Sequence, residues 1–203
     1  MPLLRIKKND FVTYKSTKVF PSDAELLERC CRNESKAQFL LYEKYGSRMK
    51  GLCRRYARSE EDVEDIFQDA YVRVFQNLSN VQNSETMVFW MKKIFINTAI
   101  NHYHKHIKQQ LNVSDDILAY HSTNDNDLIM SGLSTNDLLK IVKELPDGFR
   151  VVFNMYAIDG FQHSEIAAHL GITESTSKSQ YSRAKEWLRK RLKEIGIVSY
   201  ETS

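Results

Sequence analysis

Two helical patterns that meet at a single glycine, Gly171, restrict the fold of this chain more than any other feature. Before the glycine, Ile166 and Leu170 lie one helical turn apart. After it, Ala184 and Leu188 repeat that spacing in a longer stretch. Apolar residues four positions apart indicate helices that each bury one side. A lone glycine supplies the left-handed backbone that a tight turn between two helices needs. The pattern therefore predicts a short helix, a turn and a second helix that pack together.

The second of these helices has a polar and basic outer face. Thr173 is placed to cap it, and Ser164 is placed to cap the helix before it. Residues 178–193 hold seven basic residues and one acid. In a helix–turn–helix, the second helix lies in the major groove, where short side chains permit close approach and Lys or Arg reach base edges or phosphates. An ordinary hairpin with a solvated face is the alternative, and the charge run favours DNA. The candidate duplex contacts are Ser175, Lys178, Ser179, Ser182 and Arg183.

The N-terminal half of the chain also has helical periodicity. Only 7 glycines and 3 prolines occur in 203 residues, which favours helices over a turn-rich β fold. We expect an all-α fold, with N-terminal helices over residues 23–32, 34–57, 60–78 and 86–107. The third has the clearest apolar stripe, and Ser59 is its predicted N-cap. The stripe consists of Val63, Ile66, Phe67, Ala70, Tyr71, Val74 and Leu78.

The composition changes after the fourth helix. Residues 109–137 hold five acids and no Lys or Arg, and Ser, Thr and Asn are plentiful. Too little of this segment is apolar for burial to order it, so a flexible acidic linker is predicted. We expect two small helical domains, 21–108 and 134–203, joined by a linker at 109–133 and preceded by an N-terminal arm at 1–20. The second domain contains the helix–turn–helix.

The third helix carries an acidic outer face opposite its apolar stripe. Residues 60–69 hold six acids and no base. Such a face suits a basic partner surface and repels nucleic acid. A solvated face without a partner is the alternative. The candidates for partner contact are Asp62, Asp65, Gln68, Asp69 and Val72.

The fourth helix is basic and rich in aromatic residues. Residues 92–108 carry four lysines and no acid, with aromatic residues interleaved. Aromatic rings and cations hold bases that have left the stack, so this composition suits single-stranded DNA. The candidates from this pattern are Trp90, Lys93 and Lys105, and a core position is the alternative for Trp90.

Residues 144–192 resemble the C-terminal domain of the extracytoplasmic-function (ECF) sigma factors of bacterial RNA polymerase. The resemblance departs at Gln162, at His163 and at Ser177, where the family usually has valine. Residues 62–78 resemble the polymerase-binding helix of that family. The matching C-terminal positions are Leu145, Pro146, Arg150, Val152, Phe153, Gly160, Glu165, Ile166, Ala167, Leu170, Gly171, Ile172, Lys178, Ser179, Arg183, Ala184 and Leu188.

The resemblance implies a task for each part of the chain. The third helix would dock on a coiled coil of the β′ subunit of core RNA polymerase. The fourth helix resembles the promoter-melting segment, in which Asn97 and Asn101 match positions that read the minus-ten element; an amide suits this because it both donates and accepts. The usual arginine pair near its end is replaced here by histidines and lysines. The helix–turn–helix would read the minus-thirty-five element as duplex, the linker would follow the path of nascent RNA, and an anti-sigma factor is an expected partner.

We therefore predict an alternative sigma factor that directs core RNA polymerase to specific promoters. An autonomous helix–turn–helix regulator is the alternative, and it predicts tight duplex binding without polymerase. The chain has no phosphate-cradling glycine loop, HExxH motif or nucleophile elbow, so neither an enzyme nor a small-molecule substrate is expected. We expect no cofactor and no metal.

The predicted location is the cytoplasm. The three cysteines form no CxxC motif, the N-terminus lacks an apolar signal segment, and no run of about 18 apolar residues occurs. Attachment to the inner membrane face through an anti-sigma factor is an open alternative.

Overall fold

The computed structural model describes residues 20–110 and 135–196, and within them all elements are helices and turns, with no strand. The all-α prediction is confirmed for this part. The predicted arm, except Phe20, and the predicted linker beyond Gln110 lie outside the described residues, as do residues 197–203. The helices are α1 (Asp23–Cys31), α2 (Ser35–Tyr56), α3 (Glu60–Asn77), α4 (Met87–Gln110), α5 (Thr135–Lys143), α6 (Asp147–Phe153), α7 (His163–Leu170) and α8 (Glu174–Glu194).

Helix α3 forms as its sequence predicts. The Ser59 hydroxyl accepts a hydrogen bond from the Asp62 backbone N–H at 3.0 Å, and the Asp62 carboxylate accepts one from the Ser59 N–H at 3.1 Å. This reciprocal capping box satisfies two N–H groups at the helix start. The predicted apolar stripe is buried at all seven positions. The cap and the periodicity together fix where α3 begins and which face it turns inward.

Helices α1 to α4 form an N-terminal unit, and its core lies between α2, α3 and α4. Phe95 of α4 is fully buried, and its ring centroid lies 5.9 Å from that of Phe67 and 5.2 Å from that of Tyr71. Edge-on and tilted aromatic contacts of this kind add to the free energy gained by burial alone. Met49 and Met91 are also fully buried in the same cluster. This core holds the outer faces of α3 and α4 in fixed positions.

The connection between α3 and α4 contains two 3₁₀ turns, Leu78–Asn80 and Ser84–Thr86. Leu78 is buried and anchors the first turn. The Asn83 side-chain oxygen accepts from the Glu85 backbone N–H at 2.9 Å and caps the second. Side-chain hydrogen bonds to the backbone of this kind give the polar connection defined turns.

Helices α5 to α8 form a C-terminal unit, which contains the predicted helix–turn–helix in α7 and α8. Gly171 has φ of 67°, the left-handed conformation expected at the turn, and the Thr173 hydroxyl caps α8 by accepting from the Thr176 N–H at 3.0 Å. The predicted cap at Ser164 is wrong. Helix α7 begins at His163, so Ser164 lies inside its first turn, and the Glu165 carboxylate accepts from the Gln162 N–H at 2.8 Å instead.

The two units share an apolar core, which the sequence did not predict. Val151 and Met155, from α6 and the π-helical turn at residues 154–158, belong to the same buried cluster as the N-terminal unit, as do Ile166 and Leu170 of α7. A second, smaller cluster is confined to the C-terminal unit. The C-terminal unit therefore contributes to both cores.

A buried polar network joins the units beside that shared core. Asn154 donates through Nδ2 to the Arg55 carbonyl at 2.8 Å, and thereby satisfies a carbonyl at the end of α2 that has no partner within the helix. The Asp159 carboxylate accepts from Arg55 at 2.8 Å and from the Tyr56 hydroxyl at 2.7 Å. The Asp159 side chain is only 3% exposed. Burial and the Asp159 charge raise the pKa of Tyr56 well above its usual value, so its hydroxyl remains a neutral donor.

Candidate nucleic-acid interface

The five predicted duplex contacts lie along one side of α8. Their positions are spaced by three and four residues, and Ala184 and Leu188 are buried on the other side. Ser175 and Lys178 are exposed, while Ser179, Ser182 and Arg183 are half-buried. The structure thus brings these five residues together on one face, with the short serine side chains at the start of α8.

Ser177 seats the first turns of α8 against α7. Its side chain is fully buried, and its hydroxyl oxygen lies 2.9 Å from Nδ1 of His163. The His163 ring stacks on Tyr156 with centroids 4.2 Å apart and planes 13° apart. Burial, and then the charge of Lys178, lower the pKa of His163, so the ring is neutral near pH 7. Nothing in the sequence identified His163 as the partner of Ser177.

Several of the basic residues of α8 are engaged within the protein. Lys185 is only 7% exposed, and its ammonium lies 5.1 Å from the centroid of the Tyr181 ring. Lys178 pairs with Glu174 at 2.7 Å, an exposed ion pair of the kind that contributes little stability. Arg191 pairs with Glu144, also at 2.7 Å. The count of seven basic residues therefore overstates the charge that α8 presents to a ligand.

The predicted minus-ten residues form a ridge along α4. Lys93, Asn97, Asn101 and Lys105 follow one another at intervals of four, and all are exposed except Asn97, which is half-buried. Trp90 is half-buried and packs against the core, as its alternative interpretation proposed. The ridge therefore consists of amides and cations, whereas Trp90 packs against the core.

Phe89 extends this ridge by one further interval of four toward the start of α4. Its side chain is 73% exposed, the highest fraction among the exposed large hydrophobic residues of the described chain. Phe89 is not among the DNA contacts predicted from the sequence. Continuing the four-residue spacing of the ridge back from Lys93 would have found it.

The Asn97 side chain has unused hydrogen-bonding capacity. Its Oδ1 is enclosed and has no partner among the groups that the structure describes. Buried polar atoms are normally paired, and an exception calls for an explanation. Because this oxygen is enclosed, a ligand on the ridge could not reach it without movement of the side chain.

The acidic face of α3 is only partly as predicted. Asp65, Gln68 and Asp69 are exposed, and Val72 is 55% exposed. Asp62 is half-buried, and its carboxylate belongs to the capping box of α3. The predicted partner face is therefore best represented by the residues from position 65 onward.

Asp69 also faces the nucleic-acid ridge. Its Oδ2 lies 3.2 Å from Nε2 of His102, which follows Asn101 on α4. This contact places one end of the acidic face next to the ridge. A partner on α3 and a ligand on α4 would therefore lie close together.

No group of three His, Cys, Asp or Glu side chains that could hold a metal ion occurs in residues 20–110 and 135–196. Within the same ranges, every helix is too short or too polar to cross a lipid bilayer.

Two family matches agree with this arrangement of helices. Residues 41–108 match Sigma-70 region 2, and residues 135–188 match Sigma-70 region 4. The chain belongs to the ECF sigma factors of the sigma-70 family. It is an alternative sigma factor for RNA polymerase, and members of this family are transcription initiation factors that bind core polymerase and promoter DNA.

Curated relatives of this sigma factor are identical to it at about a quarter of the aligned positions. The ECF RNA polymerase sigma-E factor of Haemophilus influenzae is 24% identical over 186 residues, which cover 86% of this chain and 97% of that protein. The sigma-E factor of Escherichia coli K12 is 25% identical over 175 residues, which cover 81% and 91%.

Two solved structures are similar to this sigma factor. CnrH in complex with the cytosolic domain of CnrY is 20% identical, with a TM-score of 0.47 over 86% of this chain and 99% of that one. The sigma factor RpoE of Bartonella quintana, in complex with the anti-sigma factor NepR, is 19% identical, with a TM-score of 0.46 over 75% and 94%.

Proposed function

We propose that this sigma factor docks on the β′ coiled coil of core RNA polymerase through α3, melts and reads the minus-ten element with α4, and reads the minus-thirty-five element as duplex with α8. The observation that carries the proposal is the sorting of charge by exposed face. The outer face of α3 carries the exposed acids Asp65 and Asp69, whereas the ridge of α4 has lysines and amides without an acid. One basic protein partner and two DNA ligands fit these surfaces.

The ridge of α4 suits single-stranded DNA better than duplex. Bases in a duplex are stacked and cannot reach an aromatic ring, whereas a separated strand offers both base faces and base edges. Lys93 and Lys105 suit the phosphates, and the amides of Asn97 and Asn101 suit base edges. Phe89 adds an exposed ring at one end of the ridge.

The face of α8 suits the major groove. Ser175 and Ser179 let the helix backbone approach the bases closely, and Arg183 and Lys178 have the reach and the donors to contact guanine edges or phosphates. Ser182 completes this face.

The exposed face of α3 suits a basic protein surface. Asp65 and Asp69 supply charge that steers a cationic partner, and Val72 supplies exposed apolar area beside them. Asp62 lies at its margin, where it also serves the helix cap.

We further propose that the acidic segment at 109–133 takes the path of nascent RNA through the polymerase, because its negative charge mimics that of an RNA strand. An anti-sigma factor is the proposed regulator, in line with the two similar sigma factors solved with CnrY and NepR. The proposed place of action is the cytoplasm, or the inner membrane face when an anti-sigma factor holds the protein there.

Transcription in vitro tests the proposal. Core polymerase from the source organism would be supplied with its genomic DNA, with and without this protein, and transcript starts would be mapped. We expect new start sites that share elements near positions −10 and −35 only when both proteins are present. Tight duplex binding by the protein alone, without new starts, would instead support an autonomous regulator.

A charge-reversal variant tests the docking face. Asp65→Lys with Gln68→Lys changes two exposed residues of α3 and leaves the Asp69–His102 contact intact. We expect co-elution with core polymerase to be lost while helical content is retained. Glu28→Lys, at an exposed position of α1, is the control and should co-elute normally. Normal co-elution of the double variant would contradict this docking face.

A further inference from the structure

We propose that His163 is a positioning residue for DNA reading, and that its hydrogen bond to Ser177 sets the rotation of α8 about its own axis. This inference rests on the proposed function, because it assumes that α8 reads duplex DNA. It concerns two positions at which this chain departs from the usual pattern of its family. The structure shows that those two departures are partners, with Nδ1 of His163 2.9 Å from the Ser177 hydroxyl.

His163 is held from two sides. Its ring stacks nearly parallel on Tyr156, which belongs to the π-helical turn after α6. The Tyr181 ring of α8 lies 4.6 Å from Tyr156 and 5.9 Å from His163, measured between centroids. The ring therefore links α7, α8 and the preceding turn at one point. A side chain fixed in this way can transmit its own orientation to Ser177.

Ser177 is the side chain through which α8 receives that orientation. It is fully buried, and Lys185, two turns later, is the only other buried polar or charged side chain of α8. Gly171 and the Thr173 cap fix where α8 begins, but neither fixes how the helix is rolled. Apolar contacts are non-directional, whereas a hydrogen bond restricts both distance and angle.

The roll of α8 matters because the predicted contact residues flank Ser177 directly. Lys178 follows it in the sequence, and Ser175 and Ser179 lie two positions away on either side. With side chains about 5–6 Å from the helix axis, a roll of about 10° moves their tips by about 1 Å. Hydrogen bonds to base edges tolerate only a few tenths of an ångström, so such a roll weakens them.

The His163–Ser177 pair works with a neutral ring. One hydrogen is shared between Nδ1 and the hydroxyl oxygen, and either atom can be its donor. Burial and Lys178 both disfavour the charged ring. The Glu174 carboxylate favours the charged ring, and it is paired with Lys178. The pair is therefore in place at the pH at which DNA is bound.

A double-mutant cycle tests the inference in the complete chain with core polymerase. Ser177→Val removes the hydroxyl, His163→Phe retains a stacking ring without Nδ1, and the third variant combines them. Each protein would be measured on a promoter from the start-site mapping, first with its natural minus-thirty-five element and then with that element scrambled. The ratio of the two affinities isolates reading by α8, and thermal unfolding reports stability separately.

We expect each single variant to lower this ratio by about 5- to 100-fold, the loss that follows from one misplaced base contact. The double variant should fall no lower than the worse single variant, because its second change removes a group that has already lost its partner. A purely structural role would lower the melting temperature but leave the ratio unchanged. An unchanged ratio, or losses that multiply in the double variant, would overturn the inference.

A failure of the proposed function would show in the wild-type protein rather than in the variants. If α8 did not read the minus-thirty-five element, the wild-type protein itself would bind the natural and scrambled promoters equally. If only the role of His163 were wrong, the wild-type protein would discriminate and the variants would discriminate equally well.

Discussion

Phe89 is a large apolar side chain that lies at the surface and is not needed for the packing of the core. It contributes little to the core at 73% exposure, so Phe89→Ala should leave the melting temperature unchanged. If the ring stacks on a separated base, the substitution should weaken open-complex formation by about 1–3 kcal/mol. Permanganate footprinting of a mapped promoter measures this. Phe89→Trp should retain activity, and Phe89→Leu should not. Full activity of the leucine variant would exclude stacking.

His163 should give the stability of the protein a dependence on pH. Its pKa lies below the ordinary value of about 6.5, so its contribution is complete above that value and is lost as the pH falls through its lowered pKa. Urea unfolding at pH 7.5 and pH 5.5 measures the effect. We expect the gap in unfolding free energy between the wild type and His163→Phe to narrow at the lower pH. The subtraction removes the contributions of the other histidines, and a constant gap would contradict the prediction.

Among the helices, two glycines provide a matched pair of substitutions with opposite effects. Gly171, between α7 and α8, has positive φ, whereas Gly51 lies inside α2; a Cβ at either position would meet nothing within 4 Å. Gly171→Ala should therefore cost about 1–2 kcal/mol from backbone strain alone. Gly51→Ala should stabilise α2 by about 0.5–1 kcal/mol. Chemical denaturation measures both, and equal signs would show that the turn does not impose the left-handed conformation.

For the molecule as a whole, the shared core limits how far apart α4 and α8 can lie. Positions −10 and −35 are separated by about 25 base pairs, or roughly 85 Å along a duplex. A compact body of about 150 residues has a radius of gyration of about 15 Å, and so a diameter of roughly 40 Å. If α4 reads the minus-ten element and α8 the minus-thirty-five element, as proposed, the units that carry them must separate before they can contact both. The described arrangement would then be a closed form, with the buried network between the units holding it together.

Asp159 is the residue on which to test that closed form. Asp159→Asn leaves Arg55 buried without its counter-charge, and breaking a buried ion pair typically costs about 3–5 kcal/mol. Because the pair joins the two units, we expect the interface to weaken and the radius of gyration in small-angle X-ray scattering to increase by several ångströms, roughly a quarter of the compact value. Glu144→Gln, which removes the exposed pair with Arg191 inside the C-terminal unit, is the control and should leave the radius unchanged. An unchanged radius for Asp159→Asn would mean that this pair does not hold the units together.

Local features of the chain predicted the helices well. The seven-residue stripe and the Ser59 cap located α3, and Gly171 with Thr173 located the turn before α8. The cap of α7 was missed because Ser164 is a favoured N-cap residue and Gln162 is not, whereas in the structure the carboxylate of Glu165 reaches back to the N–H of Gln162. Four of the five residues of the α4 ridge were named from the sequence: Lys93 and Lys105 from the basic composition of the helix, and Asn97 and Asn101 from the family resemblance.

The sequence by itself determined what depends on neighbours along the chain: the helical class, the caps, the inner and outer faces, and the charge on each outer face. Helical geometry makes these follow from spacing alone. Only the tertiary structure decided which distant groups meet. Arg55 and Asp159 are 104 positions apart and His163 and Ser177 are 14 apart, and no periodicity relates either pair. Burial then changed the role of particular residues, as it did for Lys185, because packing removes a charged group from the surface without any signal in the sequence around it.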